Sequence, residues 1–208
     1  MTFDLPKSVE VGENTYQIRS DFRTILEIFV MLDDPDLTDA DKTEALLQMF
    51  YVERPPDVEE AVMAFLDFID PRSSRTRRRA QHSGSPSERT SSGESELSCR
   101  YREARRFGAC EDAIDWSQDF DLLVAPINHI LGFECRAADY LHWRTFLAAY
   151  LEIPPESVFA RVLRIREKLR TCKKLEKYER TWYNKNRDLV HLKPKFSKAE
   201  EELIEAWT

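Results

Sequence analysis

Five glycines in 208 residues leave little room for phosphate chemistry. No two of Gly12, Gly84, Gly93, Gly108 and Gly132 stand at phosphate-loop or dinucleotide-fold spacing. Without a glycine-rich turn the backbone cannot approach a phosphate closely, so nucleotide-binding enzymes of those classes are excluded. A nucleophile elbow is missing too, because Ser85 follows Gly84 but has no second glycine two residues on. The four cysteines, Cys99, Cys110, Cys135 and Cys172, form no C-x-x-C pair and are expected to be free thiols. His82, His129, His142 and His191 lack H-x-x-x-H or H-E-x-x-H spacing. The longest apolar run, Leu122 to Ile127, falls far short of the roughly 20 residues of a membrane span. Met1 to Pro6 carries neither the basic start nor the apolar run of a signal peptide, so the chain is expected to stay in the cytoplasm where it is made. No catalytic, cofactor-binding or metal-binding residue is assigned, and a non-enzymatic protein is expected.

What is present is apolar content sufficient for a core, at 42%, and an uneven charge. Residues 1–70 carry 5 basic and 17 acidic side chains. Residues 71–113 carry 10 and 6, all ten bases being arginine, and residues 114–208 carry 16 and 15. An acidic front lobe argues against a duplex-DNA binder, which needs a concentrated positive face. Most of these acids read as solvated surface. Acid pairs such as Asp33-Asp34 and the run Glu200-Glu201-Glu202 are expected at helix starts, where negative charge complements the helix dipole and capping accounts for them better than acid–base catalysis.

The patterning is that of a mainly α protein with two small helical lobes and a short N-terminal β-hairpin. Val9 and Val11, then Tyr16 and Ile18, alternate with polar residues on either side of Gly12-Glu13-Asn14-Thr15. Ser20 is the expected cap of a helix bearing Phe22, Ile25, Leu26 and Phe29, which Asp34-Pro35-Asp36 breaks. Thr38 with Asp41 opens a second helix burying Leu46, Met49 and Phe50. Asp57 with Glu60 opens a third, with Val58, Val62, Phe65, Leu66 and Ile69 on one stripe. These make an N-terminal domain over 1–70.

Residues 71–113, rich in Ser, Arg, Glu and Thr, cannot bury enough surface to offset chain entropy and are expected to be a disordered linker. Their abrupt switch to arginine fits either a natural Arg-rich linker or an out-of-frame stretch of the gene. A C-terminal helical domain follows over 114–208. Asp115 and Gln118 cap a helix with Phe120, Leu123, Val124, Ile127 and Leu131, ended by Gly132 and expected to kink or break at Pro126. A helix over 137–151 is expected to carry Tyr140, Trp143, Leu147 and Tyr150. Others carry Val158, Val162, Ile165 and Leu169, then Leu175, Tyr178, Trp182 and Leu189. Ser197 with Glu200 is a capping box for a last helix ending near Trp207.

Two aromatic clusters are the candidates for partner contact. In Tyr140-Leu141-His142-Trp143, His142 between aromatics is either a contact residue or the margin of a core helix, and the second reading is the simpler. In Trp182-Tyr183-Asn184-Lys185-Asn186-Arg187, aromatics interleave with bases in a way that can stack on RNA, but no basic field surrounds them. If either cluster makes a partner contact, Tyr140, His142, Trp143, Trp182, Tyr183 and Arg187 are the candidate partner-binding residues.

Several segments in order resemble the bacteriophage "gene product fifteen" family of Gram-positive phages and prophages. They are Leu5 to Val11 and Tyr16 to Arg23, then Asp115 to Asp121, Ala125-Pro126-Ile127-Asn128, Tyr140 to Trp143, Ile165-Arg166, Trp182-Tyr183 through Asn186-Arg187, and Trp207-Thr208. Arg144 stands where the family commonly has a second tryptophan, and the tract 71–113 is longer and richer in Arg and Ser than is usual. The resemblance implies a siphophage or prophage tail-region protein encoded near the tape-measure gene, a position typical of tail assembly chaperones. It brings no catalytic residue, metal or cofactor. The expected partners are the tape-measure protein or other tail proteins, with no membrane, and the expected location is the bacterial host cytoplasm or the virion. A structural minor tail or head–tail component is the alternative. A nucleic-acid-binding regulator resting on Arg75–Arg79 and Arg161–Arg170 is the third reading.

Overall fold

Alternating β-branched and polar residues on either side of a glycine make the first element a hairpin. Strand β1 (Ser8–Val11) pairs antiparallel with β2 (Asn14–Gln17), Val9 facing Tyr16 and Val11 facing Asn14. Only Gly12 and Glu13 form the loop, tighter than the four residues expected. Gly12 takes φ +61, which the right-handed twist of a two-residue connection favours. The computed structural model describes residues 4–70 and 113–207. The tract expected to be disordered lies, apart from Ala113, outside the described residues.

The described residues are mainly helical and divide into two units, 4–20 with 37–70 and 21–36 with 113–207. In the first unit the hairpin lies on the helix Val58–Ile69 (α3), giving it the support a lone hairpin lacks. Helix α2 (Asp39–Phe50) begins with the Thr38/Asp41 capping box and α3 (Val58–Ile69) with Asp57, whose carboxylate accepts from Glu60 N at 2.9 Å. Their apolar stripes meet around Phe50, whose ring centroid lies 4.9 Å from those of Phe65 and Tyr51. Tyr51 donates its hydroxyl to Ala61 O at 2.7 Å, and burial pushes its pKa well up.

Helix α1 (Phe22–Leu32) belongs to the second unit, although it precedes α2 and α3 in sequence. Its stripe of Phe22, Ile25, Leu26 and Phe29 is buried as expected, together with Ile28. The cap is Asp21 rather than Ser20: the Asp21 carboxylate accepts from Arg23 N at 2.9 Å, while Ser20 is buried. Helix α4 (Trp116–Leu131), capped by Asp115 and closed by Gly132 in the left-handed region, runs unbroken through Pro126. The early break expected at Pro126 does not occur.

Helix α5 (Trp143–Leu151) starts six residues later than the 137–151 span. A 3-10 turn (Cys135–Ala137) and an extended stretch precede it, and Tyr140 lies outside the helix. The stretch is held extended by α1's lead-in: Leu141 donates to Asp21 Oδ2 at 3.1 Å, and Phe22 N donates to Leu141 O at 2.9 Å. Helix α6 (Val158–Arg170) buries Phe159, Val162, Ile165 and Arg166, leaving Val158 and Leu169 exposed. It ends in a Schellman motif in which Cys172 takes φ 53 and Lys173 N reaches Lys168 O at 2.8 Å. The single helix expected over Leu175 to Leu189 is two, α7 (Lys177–Lys185) and α8 (Arg187–Val190), separated at Asn186. Asn186 breaks the run by taking φ −131, ψ 37 and donating its side-chain amide to Trp182 O at 2.8 Å. Helix α9 (Lys198–Ala206) carries the Ser197/Glu200 capping box.

Candidate partner-binding surface

The second unit is organised around one buried guanidinium. Arg166 on α6 meets Asp119 on α4 through two parallel bonds, Nη1 to Oδ2 at 2.7 Å and Nη2 to Oδ1 at 2.9 Å. Its remaining donors reach Ala113 O (2.6 Å), Leu189 O (2.8 Å) and Val190 O (2.6 Å). All five N–H groups of the fork are thus used, which is what lets a charge of this size sit in a core. The arrangement ties the start of α4 and the end of α8 to α6. Both residues lie in segments that carry the family resemblance, but nothing in the sequence pairs them.

One turn away, Asp115 accepts from Ser117 N at 2.9 Å and from Lys195 Nζ at 2.9 Å. Gln118 exchanges hydrogen bonds with the Lys193 backbone, at 2.8 and 3.0 Å. Burial raises the Asp115 pKa, but hydrogen bonds from Ser117, Lys195 and Gln118 outweigh it and hold the carboxyl at about 2. A carboxyl lowered on folding stabilises above its ordinary value of about 4. That stability is lost as pH falls from there toward 2. Asp115→Asn, which keeps the cap, is expected to flatten the acid limb of stability between about pH 4 and pH 2 in urea titrations at stepped pH. An unchanged slope would show that other carboxyls carry it.

Of the first aromatic cluster, Trp143 is fully buried and His142 is 2% exposed. Trp143 sits edge-on to Phe29 at 5.6 Å and stacks on Phe146 at 5.8 Å. His142 caps α5, its Nδ1 accepting from Arg144 N at 3.0 Å. Arg23 closes over the preceding turn by donating to the carbonyls of Cys135, Arg136 and Ala138. As folded, His142 and Trp143 present no surface to a partner, whereas Tyr140 is 48% exposed. Arg144 is half-buried, and burial lowers its pKa.

The second cluster stays at the surface. Arg161 lies over the half-buried Trp182 ring at 5.4 Å. The Tyr183 hydroxyl bonds His191 Nε2 at 2.7 Å, and the exposed Arg187 lies over its ring at 5.6 Å. This edge, made by α7 and α8, brings Trp182, Tyr183 and Arg187 together. The arginines between 161 and 170 are largely engaged inside the chain: Arg164 donates to Pro155 O at 2.9 Å and Arg170 pairs with Glu167 at 2.9 Å. Glu179, buried on α7, accepts from Lys168 at 2.6 Å, a pairing that helical spacing does not signal. Arg75–Arg79 lie outside the described residues.

Among the described residues, no group of three or more His, Cys, Asp or Glu could hold a metal ion. Among them, too, no helix is long and apolar enough to cross a membrane. Cys135 is buried and Cys172 exposed, both as free thiols.

A mainly helical chain with an N-terminal hairpin and a buried Asp–Arg clamp is thus the class of protein defined. A model of the bacteriophage Gp15 protein family matches residues 1–192, and the chain belongs to that family. It is a bacteriophage protein. Residues 193–208, including Trp207-Thr208, lie outside the match. No curated protein and no solved structure matches the chain.

Proposed function

We propose that this phage protein is a non-enzymatic tail assembly chaperone that binds the tape-measure protein while tail-tube subunits polymerise around it. Membership of the Gp15 family is the observation that carries the reading, through the tail-region gene position that the family resemblance implies. The chemistry is helix-in-groove recognition, in which surface aromatics and apolar edges mask the stripes of a long helical partner until assembly displaces the chaperone. The contact edge proposed is Trp182, Tyr183 and Arg187 with the exposed Tyr178 beside them. Rigid aromatics with a guanidinium supply contact area at low entropic cost. The internal engagement of Arg161, Arg164, Arg166 and Arg170 counts against a nucleic-acid regulator.

A chaperone leaves the finished particle. Mass spectrometry of purified virions is expected to find tail-tube and tape-measure proteins but not this chain. Its presence at a fixed copy number per particle would instead make it a minor tail or head–tail component.

A further inference from the structure

Two surfaces of the second unit are complementary and belong to neither the clamp nor the aromatic edge. The first is α9 with the residue that caps its end: Leu203 and the C-cap Trp207 are 61% and 89% exposed, with Ile204 beside them also exposed. Its sequence holds four glutamates and one lysine. The helix starts from a fixed point, because Lys195 is held by Asp115, the Lys193 backbone by Gln118, and Lys198 N by Asp36 Oδ1 at 2.9 Å. The second is an open groove of about 430 Å³ at the loop leading into α7 and the first turn of that helix, lined by Lys174, Leu175, Glu176, Lys177 and Arg180. Three of those five side chains are cationic, and Leu175 is half-buried among them.

We propose that the groove receives α9 of a second copy of this chain. Leu203 and Trp207 would cover Leu175, and the flanking glutamates would meet Lys174, Lys177 and Arg180. Charge complementarity selects the occupant: an apolar stripe bordered by acids fits Leu175 set among three cations and one acid, Glu176, a lining that is net positive. The helix does not fill the groove of its own chain, since its apolar residues are exposed in the same conformation in which the groove is open. Because helix and groove are different surfaces, the contact is either reciprocated about a two-fold axis, each copy lending its helix to the other, or repeated head-to-tail into a ring or a longer assembly. The donor helix lies wholly beyond residue 192, outside the residues shared with the family model.

The test is sedimentation velocity on the full chain across the micromolar range at low salt. Wild type is expected to exceed its monomer mass of 24.5 kDa increasingly with concentration. Glu202→Lys with Glu205→Lys, or Lys177→Glu with Arg180→Glu, is each expected to weaken association at least roughly tenfold, since like charges then face each other. Combining both pairs is expected to restore it. All four positions are exposed, and circular dichroism checks that each variant remains folded. A wild-type chain that stays monomeric throughout, or association that neither reversal changes, would overturn the proposal. Loss in both reversals without recovery in the combination would also count against it.

Discussion

Replacing Asp119 with alanine is expected to destabilise the second unit by about 3–5 kcal/mol, the range for stranding one member of a buried ion pair. The carboxylate takes two bonds from Arg166 and accepts a third, from Asp115 N at 2.9 Å. Without it the guanidinium keeps its carbonyl partners but has no counter-charge in a site that is 9% exposed. All four tryptophans, Trp116, Trp143, Trp182 and Trp207, lie in this unit, so tryptophan fluorescence during urea unfolding reports on it selectively. The double variant Asp119→Leu with Arg166→Met is expected to lose less than Asp119→Ala alone, because it removes both charges and refills the space. A loss below about 1 kcal/mol in Asp119→Ala would mean that water reaches the pair and that it holds little together.

Truncating Trp143 to alanine is expected to cost about 3–5 kcal/mol, as for other fully buried large aromatics. Its ring fills the space between Phe29 and Phe146, and Phe29 in turn lies 5.8 Å from Trp116. Trp182→Ala, at the surface, is expected to cost about 1 kcal/mol through the lost Arg161 contact and side-chain burial. The two variants therefore separate structure from recognition. Trp143→Ala should lower the urea midpoint while any surviving folded protein still binds. Trp182→Ala should fold nearly normally and bind poorly. Normal stability in Trp143→Ala would place that ring outside the core.

What could be read from the sequence was what is local. Thr38 with Asp41, Asp57 with Glu60, Asp115 with Gln118 and Ser197 with Glu200 each mark a helix start through bonds spanning three residues. Those helices begin where such pairs place them. What failed depends on contacts distant in sequence. Ser20 has the chemistry of a cap, but Asp21 takes the role while also binding Leu141, 120 residues away. The same contact keeps 138–142 extended and delays α5, against a pattern that predicts a helix from 137. Asp119 and Glu179 look in sequence like solvated helix positions; their burial follows from Arg166 and Lys168 on a different helix. Of the candidate contact residues, the sequence pattern puts Trp143 on a helical stripe and reads His142 most simply as the margin of a core helix, but it puts Tyr140 on the same stripe, where the folded chain leaves it exposed. Periodicity shows that an aromatic is present but not which neighbour covers it.

The proposed role of this chain is to hold a long helical tail protein during assembly. Co-expression with the tape-measure protein of the same phage, followed by size-exclusion chromatography, is the test. The expected result is a tape-measure protein that is insoluble when made alone, is recovered with this chain in one peak, and is lost from that peak with Trp182→Ala and Arg187→Glu. A tape-measure protein that is soluble by itself and elutes separately from this chain would contradict the account.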